Sequence, residues 1–139
     1  MVVTKNIQVR TKGNCDVVDI TPQAAQAVAE SGIKAGIATL FNVGSTAAIT
    51  TTEYEPGLVK YDIKAAFEKI APQNDRYEHE KTWHDDNGHA HVRATLLGPS
   101  LVVPVVDGKL TLGTWQQIVL IDFDTRLRNR QVVCQIIGD

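Results

Sequence analysis

The chain has 139 residues, of which 43% are apolar and 22% charged. This length and composition predict one domain, residues 1–139, that buries roughly 70% of its unfolded surface. The net charge of -2 gives no general attraction for polyanions, so we expect neither nucleic acid nor an anionic membrane as a partner. No segment approaches the roughly 20 apolar residues that cross a bilayer, and residues 1–14 lack the apolar core of a secretory signal. These absences favour a cytoplasmic location, with Cys15 and Cys134 as reduced, packed thiols.

The first part of the chain predicts two strands and a helix. Apolar and polar residues alternate loosely over 2–10, as in a half-buried strand, and 17–20 favours a second short strand. Thr21-Pro22 is typical of a helix start, with a capping side chain followed by proline at the first helical position. The apolar stripe that follows ends at Gly32.

The middle of the chain predicts two strands within 36–52, separated by Gly44, because both runs are rich in β-branched and apolar residues. Apolar residues then recur at helical spacing from Val59 to Ile70, until Pro72 stops the pattern. A polar loop from 73 to about 88 follows, and its length suggests a function. The remainder is predicted as strands over 90–97, 101–106, 109–112, 116–122 and 131–137, with Asp107-Gly108 as a hairpin turn.

These elements predict an α+β fold in which mixed or antiparallel β-sheets pack with two helices. Two helices cannot cover both faces of a sheet with seven or eight strands. We therefore expect either that two sheets pack on each other or that one sheet face is buried against other subunits.

All four histidines fall within thirteen residues, where they are mixed with acidic side chains and one asparagine. If this segment enters a strand, His89 and His91 point to one face, roughly 6.5 to 7 Å apart. That spacing suits two ligands of one divalent metal ion, such as Zn or Mg. Residues of the preceding loop complete the set, so the predicted metal ligands are His84, His89, His91 and Asp86. A solvated loop side chain is the alternative interpretation of His84.

His79 is a separate candidate for proton transfer. Glu78 and Glu80 flank it, and a carboxylate within reach raises the basicity of an imidazole for acid or base catalysis. A surface histidine with acidic neighbours is the alternative.

The turn at Gly44 carries two hydroxyl side chains, Ser45 and Thr46, and several backbone N–H groups that can hold a phosphate. A plain β-turn also explains it. Glu53 follows the next apolar run and has the chemistry of a base, of a metal ligand or of a solvated strand end.

Arginine recurs at every second position over Arg126, Arg128 and Arg130, so these side chains share a face if the segment is extended. They can bind a phosphorylated ligand or a neighbouring subunit's acids, or they can protect a solvated sheet edge. Trp115 either stacks on a planar ring or fills a core.

Four separated motifs occur in the order typical of one family. They are Gly44-Ser-Thr-Ala-Ala48 with Glu53, Tyr77-Glu-His79, His89-Ala-His91 through Gly98-Pro-Ser100, and Gly113-Thr-Trp-Gln116. Over essentially its whole length, the chain therefore resembles the YjbQ-like family, also called secondary thiamine-phosphate synthase. It departs from that pattern at Gly44, where many members have histidine, and at Thr52, where many have asparagine.

The resemblance implies a homotrimer with polar pockets between subunits. It also implies an activity that joins a hydroxymethylpyrimidine pyrophosphate to a thiazole phosphate and releases pyrophosphate. Catalytic roles are then expected for Glu53, His79 and His91. Contacts with the substrate or its phosphates are expected from Ser45, Thr46, Trp115, Gln116 and Arg126. Two other functions fit the same residues: a non-catalytic trimer that binds a metal ion or a small phosphorylated ligand, and a metal-dependent phosphate-ester hydrolase.

Overall fold

The structure, a computed structural model, describes all 139 residues. The strands are β1 (Val2–Thr11), β2 (Asp16–Asp19), β3 (Ala35–Asn42), β4 (Ala47–Thr52), β5 (Ser100–Val106), β6 (Lys109–Leu110), β7 (Gln117–Asp122) and β8 (Arg128–Gly138). The helices are α1 (Thr21–Ser31), α2 (Ile63–Ile70), α3 (His79–Trp83) and α4 (Gly88–Leu97). A π-helical turn, Leu58–Asp62, runs directly into α2.

Two antiparallel sheets form the framework, one with the strand order β1-β8-β3-β5-β6 and one with the order β2-β7-β4. They pack face to face, because Leu40 and Val103 of the larger sheet share a core with Ile49 and Leu120 of the smaller one. Helix α1 closes this core through its apolar stripe, which includes Val28. The α+β fold class and the packing of one sheet on another are therefore as expected.

The other face of the smaller sheet is covered by helices α2 and α4, so that this sheet is the middle layer of three. Ile121 and Phe123 pack there against Ala90 and Ala94, and the Phe123 ring meets Phe67 edge to face at 4.7 Å between ring centroids. Because both faces of the sheet are buried, β7 is an unbroken apolar run instead of an alternating one.

Helix α4 corrects the prediction of a strand over 90–97. Its buried positions, which include Ala90, Arg93 and Ala94, recur three to four residues apart and place one side of a helix on the sheet. The predicted polar loop also contains the short helix α3, which has no buried residue and therefore no apolar pattern to reveal it. The predicted helix over 59–70 is present, although its first turn is π-helical.

The outer face of the larger sheet carries exposed apolar side chains at its centre. We call this set the apolar sheet face; its members are Ile37, Phe41, Val102, Val106 and Ile137, each between 40% and 56% exposed. Exposed apolar residues gathered in one patch, in contrast to single ones, mark surfaces that bind partners.

Cys15 and Cys134 are buried, free and in different cores, as expected for reduced thiols. Burial raises the pKa of the Cys15 thiol to about 11. No helix of the structure has the length and apolar character that crossing a bilayer requires.

Candidate active site

The floor of the candidate site is the segment that leaves β7, where two buried aspartates alternate with Phe123. Asp122 is inaccessible to solvent and pairs with Arg130 through two hydrogen bonds, of 2.7 Å from Nε and 2.8 Å from Nη2. The Thr11 hydroxyl donates a third, of 2.6 Å. A buried charge is tolerated when it is paired and hydrogen-bonded in this way.

Asp124 lies two residues further on and is only 1% exposed. The Thr46 hydroxyl donates to its Oδ2 at 2.9 Å, and Arg128 donates to the same oxygen at 3.2 and 3.0 Å. Burial alone acts to raise the pKa of Asp124, but hydrogen bonds from Thr125 N–H, Thr46 and Arg128, together with the Arg128 charge, outweigh it and hold this pKa below the usual range. Asp124 is therefore a fixed negative charge beneath the site.

Three consecutive residues have left-handed backbone conformations, and two of them hydrogen-bond to the backbone of this floor. Gly13, Asn14 and Cys15 have φ values of 80°, 55° and 68°. In this conformation Asn14 N–H donates to the Asp124 carbonyl at 2.6 Å, and Cys15 N–H donates to the Asp122 carbonyl at 2.8 Å. A Cβ on Gly13 would lie 2.6 Å from that Asp124 oxygen, so glycine is required for this close approach.

Above the floor, α3 and α4 bring two histidine rings together. The ring centroids of His79 and His91 are 4.4 Å apart, and both residues are half-buried. We call these two side chains the imidazole pair. His79 Nε2 lies 3.3 Å from Asp85 Oδ1 and 3.2 Å from the side chain of Asn87.

The backbone between the two helices explains how these groups meet. His84 adopts a left-handed conformation, φ 56°, and ends α3 with its N–H on the Glu80 carbonyl at 2.7 Å. The chain then turns back beneath His79, and Thr125 Oγ1 holds this turn by donating to Asp86 Oδ1 at 2.9 Å. Gly88 starts α4 against the Tyr77 side chain, where an added Cβ would come within 2.5 Å of Tyr77 Cβ.

The Asn87 amide lies between His79, Asp85 and Asp124. With its oxygen toward His79, its NH₂ group lies 3.5 Å from Asp124 Oδ1. In the rotated orientation the NH₂ group donates to Asp85 at 3.2 and 3.1 Å and to His79 Nε2 at 3.2 Å. The rotated orientation also keeps the amide oxygen away from the Asp85 carboxylate, so the hydrogen-bond network favours it.

The environment of His91 favours its neutral form. Desolvation by burial and the nearby His79 charge lower the pKa of His91, while Asp124, Asp85 and a hydrogen bond with the Ser45 backbone act in the opposite direction. At neutral pH His91 is therefore neutral and has a lone pair available to accept a proton.

The structure does not bring the predicted metal ligands together. On a helix, residues two apart point in nearly opposite directions, so His89 faces the interior, 1% exposed and packed by Tyr77, while His91 faces His79. His84 is exposed at the end of α3 and Asp86 is bound to Thr125. No group of three or more His, Cys, Asp or Glu side chains is arranged to hold a metal ion.

The remaining predicted site residues lie at the two ends of β4. Ser45 and Thr46 precede this strand, and Thr46 is buried in the floor, where it bonds Asp124 and Arg130. Glu53 follows the strand and makes no hydrogen bond or ion pair with either ring of the imidazole pair. Six strand residues separate the ends by roughly 20 Å.

Trp115 and Gln116 belong to the Glu53 end. Gln116 donates to Thr51 Oγ1 at 3.1 Å and accepts Gly113 N–H at 3.0 Å, while the Trp115 ring is 72% exposed instead of buried in a core. Arg126 is exposed in the loop before β8, so it does not share the strand face of Arg128 and Arg130.

Sequence reasoning missed the buried residues of the site, Asp122, Asp124 and Asn87. A signal was present, since aspartates alternate at the end of one strand and arginines alternate at the start of the next. Opposite charges with the same two-residue spacing on adjacent segments are typical of paired side chains.

Comparison with known proteins identifies the family. A family described as UPF0047 protein YjbQ-like matches residues 5–139. The chain belongs to this family. A UPF0047 protein of Archaeoglobus fulgidus is 39% identical over 91% of this chain and 96% of its own length, and the UPF0047 protein YugU of Bacillus subtilis is 35% identical over 86% and 89%.

Solved structures of the family have the same fold. A YbjQ-like protein of unknown function from Sulfolobus solfataricus superposes with a TM-score of 0.93 at 40% identity, over 100% of this chain and 99% of its own. An uncharacterised family member from Clostridium acetobutylicum has a TM-score of 0.86 at 36% identity, over 96% and 99%.

These findings correct the predicted activity. The UPF0047 relatives carry only the name of the family, and the Sulfolobus protein is described as having unknown function. None of them is described as a thiamine-phosphate synthase, so the prediction of that transferase was wrong.

Proposed function

We propose that this protein is an acid–base enzyme whose catalytic groups are the imidazole pair, His79 and His91. The observation that carries the proposal is the 4.4 Å separation of the two rings, of which His79 lies 3.3 Å from the Asp85 carboxylate and His91 makes no ion pair. Two titratable groups in contact but in different environments are the usual arrangement of a catalytic acid and base.

His91 is the base in this proposal. Burial and the neighbouring His79 lower the pKa of His91, so the ring is neutral near pH 7 and accepts a proton from a bound substrate. The side chain is half-buried, so it keeps some access to solvent.

His79 is the acid. In its protonated form it makes an ion pair with Asp85 at 3.3 Å. Asp85 and the Asn87 amide together fix the orientation of its ring. Asp124 is a positioning residue that anchors the floor through Thr46 and Arg128.

The substrate class that fits is a small polar molecule with a hydroxyl or carbonyl group. The two rings are close enough to act on one functional group, and α3 beside them has no buried residue.

Turnover by histidine variants tests this proposal. The protein is incubated with a panel of hydroxyl- and carbonyl-bearing metabolites, and consumption is followed by mass spectrometry for the wild type, His79→Gln, His91→Gln and the control His84→Gln. We expect a compound that the wild type and His84→Gln consume equally, and that each catalytic variant consumes about 10²–10⁴-fold more slowly. Undiminished turnover by both His79→Gln and His91→Gln, or consumption of no compound by the wild type, would overturn the proposal.

We also propose that the chain forms a homotrimer, which the family resemblance implies, and that its copies associate through the apolar sheet face. The exposure of Ile37, Phe41 and Val102 supports this, because such a patch is costly to leave in water.

Light scattering of the wild-type protein should give about three times the 15.2 kDa chain mass. A Phe41→Glu/Val102→Glu variant should give a single chain mass, while Leu127→Glu, which changes an exposed loop residue away from that face, should leave the assembly intact. A monomeric wild type contradicts this proposal.

A further inference from the structure

A polar cavity lies on a different part of the surface from the imidazole pair. It has a volume of about 420 Å³ and is formed between the Lys12–Val17 segment and the π-helical turn with the start of α2. This volume falls within the range of small-molecule sites. Three lysines, Lys12, Lys60 and Lys64, line it, and we call it the lysine cavity.

The charge of the lysine cavity is unbalanced. None of its three lysines makes an ion pair, and all three are exposed. One acid, Asp16, lines the same cavity, and its Oδ2 already accepts Lys12 N–H at 2.8 Å. Three ammonium groups around one concave surface therefore create a local positive potential in a chain whose net charge is negative.

The local backbone brings these charges together at a cost in stability. Lys60 and Lys64 are four residues apart on one continuous helical segment, where like charges repel each other. The segment begins with a π-helical turn, a conformation that is frequent at functional sites. On the opposite wall, Asn14 and Cys15 have left-handed backbone conformations, which non-glycine residues rarely adopt.

Tyr54 gives the cavity a rigid apolar side. Its hydroxyl donates to the Val17 carbonyl at 3.2 Å, which fixes the ring, and the residue remains 45% exposed. A ligand in the cavity would meet the ammonium groups and the Tyr54 side chain.

We propose that the lysine cavity binds a small polyanion, either one that bears phosphate groups or a polycarboxylate. Lysine ammonium groups act as point charges without the forked geometry of arginine, so they can bind both kinds of anion. A bound polyanion would neutralise the three lysines and offset the repulsion between Lys60 and Lys64. The proposal does not depend on the imidazole pair.

Calorimetric titration with two probes tests this proposal. Pyrophosphate and citrate are titrated separately into the wild type, a Lys60→Gln/Lys64→Gln variant and a Lys69→Gln/Lys109→Gln control, which removes the same charge from residues outside the cavity. We expect saturable binding to the wild type and the control with Kd values within about twofold, and binding to the cavity variant at least about 10-fold weaker. Pyrophosphate binding alone identifies a phosphate site, and equal binding of citrate identifies a general polyanion site.

Two outcomes overturn the proposal: neither anion binds the wild type saturably, or the control variant loses affinity as much as the cavity variant does. The second outcome would mean attraction by overall charge. A Lys12→Gln variant repeats the test from the opposite wall, and circular dichroism establishes that each variant is folded.

Discussion

Asp124 is a single carboxylate on which several parts of the site converge. Thr46, Arg128 and the Thr125 N–H donate to it, and Asn87 lies 3.5 Å away. These donors come from the start of β4, from β8 and from the turn before α4. Its negative charge therefore holds three separate segments in register beneath the imidazole pair.

Replacing Asp124 should change how stability depends on pH. Because the pKa of Asp124 is lowered in the folded protein, its charged form adds stability above the unfolded pKa of about 3.9, and this stability is lost as pH falls through the lower folded value. We expect Asp124→Asn to reduce the free energy of unfolding by about 1–3 kcal/mol near neutral pH, and the difference from the wild type to shrink below about pH 4.

Urea unfolding at several pH values measures this difference. Asp62→Asn, at an exposed position without a hydrogen-bonded side chain, is the matched control and should stay close to the wild type at every pH. A difference for Asp124→Asn that does not change with pH would mean that the carboxylate has no lowered pKa.

Coupling between the two rings of the imidazole pair can be measured without a substrate. The His79 charge is one of the causes that lower the pKa of His91, so His79→Gln should raise the pKa of His91. Desolvation, the larger cause, remains in that variant and continues to act against the charged form of His91. Proton NMR of the histidine ring signals follows this titration, with His84→Gln as the control. An unchanged His91 titration in His79→Gln would mean that the rings are not coupled.

At the scale of elements, α4 joins the site to the core. The His91 side chain points from this helix to His79, while Ala90 and Ala94 pack on the smaller sheet. Arg93, 2% exposed, ties it to α2 by donating to the Ala71 carbonyl at 2.9 Å and to Glu68 at 2.8 Å. The position of the base is therefore set by a helix that is fixed on two sides.

His89 makes the same helix sensitive to acid. Its Nδ1 is buried without a hydrogen-bond partner, and burial, followed by the Arg93 charge, lowers the pKa of His89. The neutral form therefore contributes stability above the unfolded pKa of about 6.5, and this stability is lost as pH falls through the folded value. We expect His89→Leu to lose less unfolding free energy than the wild type between about pH 7.5 and about pH 5.

Chemical denaturation at the two pH values tests the role of His89. The control is His84→Leu, because His84 is exposed and its replacement should leave the acid sensitivity of the wild type unchanged. If His89→Leu loses as much stability in acid as the wild type, the sensitivity arises elsewhere.

The sequence was informative where local patterns decide the structure. Pro22 and Gly32 lie at the two ends of α1, because a proline fits the first turn of a helix and a glycine its left-handed end. The predicted capping role of Thr21 was wrong: Thr21 is the first helical residue, and its hydroxyl accepts Ile118 N–H instead of capping α1. Helix α4 was missed because a short apolar run with β-branched residues fits a buried strand as well as a helix. His79 and His91 were found by residue type, whereas Asp122 was not, since its partner Thr11 is 111 residues away in the sequence.

At the scale of the whole molecule, the two proposed sites are connected through the backbone of the segment that follows β7. The imidazole pair lies above the segment that follows β7, and the lysine cavity lies behind it, on the side of the Lys12–Val17 segment. Asn14 lines that cavity, and its N–H donates to the Asp124 carbonyl. A single layer of backbone therefore stands between the two sites.

The middle layer should be the most protected part of the molecule. Strand β7 is buried on both faces and paired on both edges, whereas α3 has no buried residue. Hydrogen exchange followed by mass spectrometry should therefore give the slowest amide exchange in β7 and fast exchange in α3. Equal protection of the two segments would contradict the three-layer arrangement.

The pairing of β1 with β8 has a consequence for how the chain folds. Val2 lies opposite Ile137, and Thr11 lies opposite Arg128, so β1 gains this neighbour only after nearly the whole sequence has been synthesised. Contacts between such distant residues slow folding, to the range of milliseconds to seconds for chains dominated by them. On the ribosome, Ile7 and Val9 therefore stay uncovered by β8 until the last strand emerges, and the floor of the candidate site, which Thr11 helps to hold, is among the last parts to form.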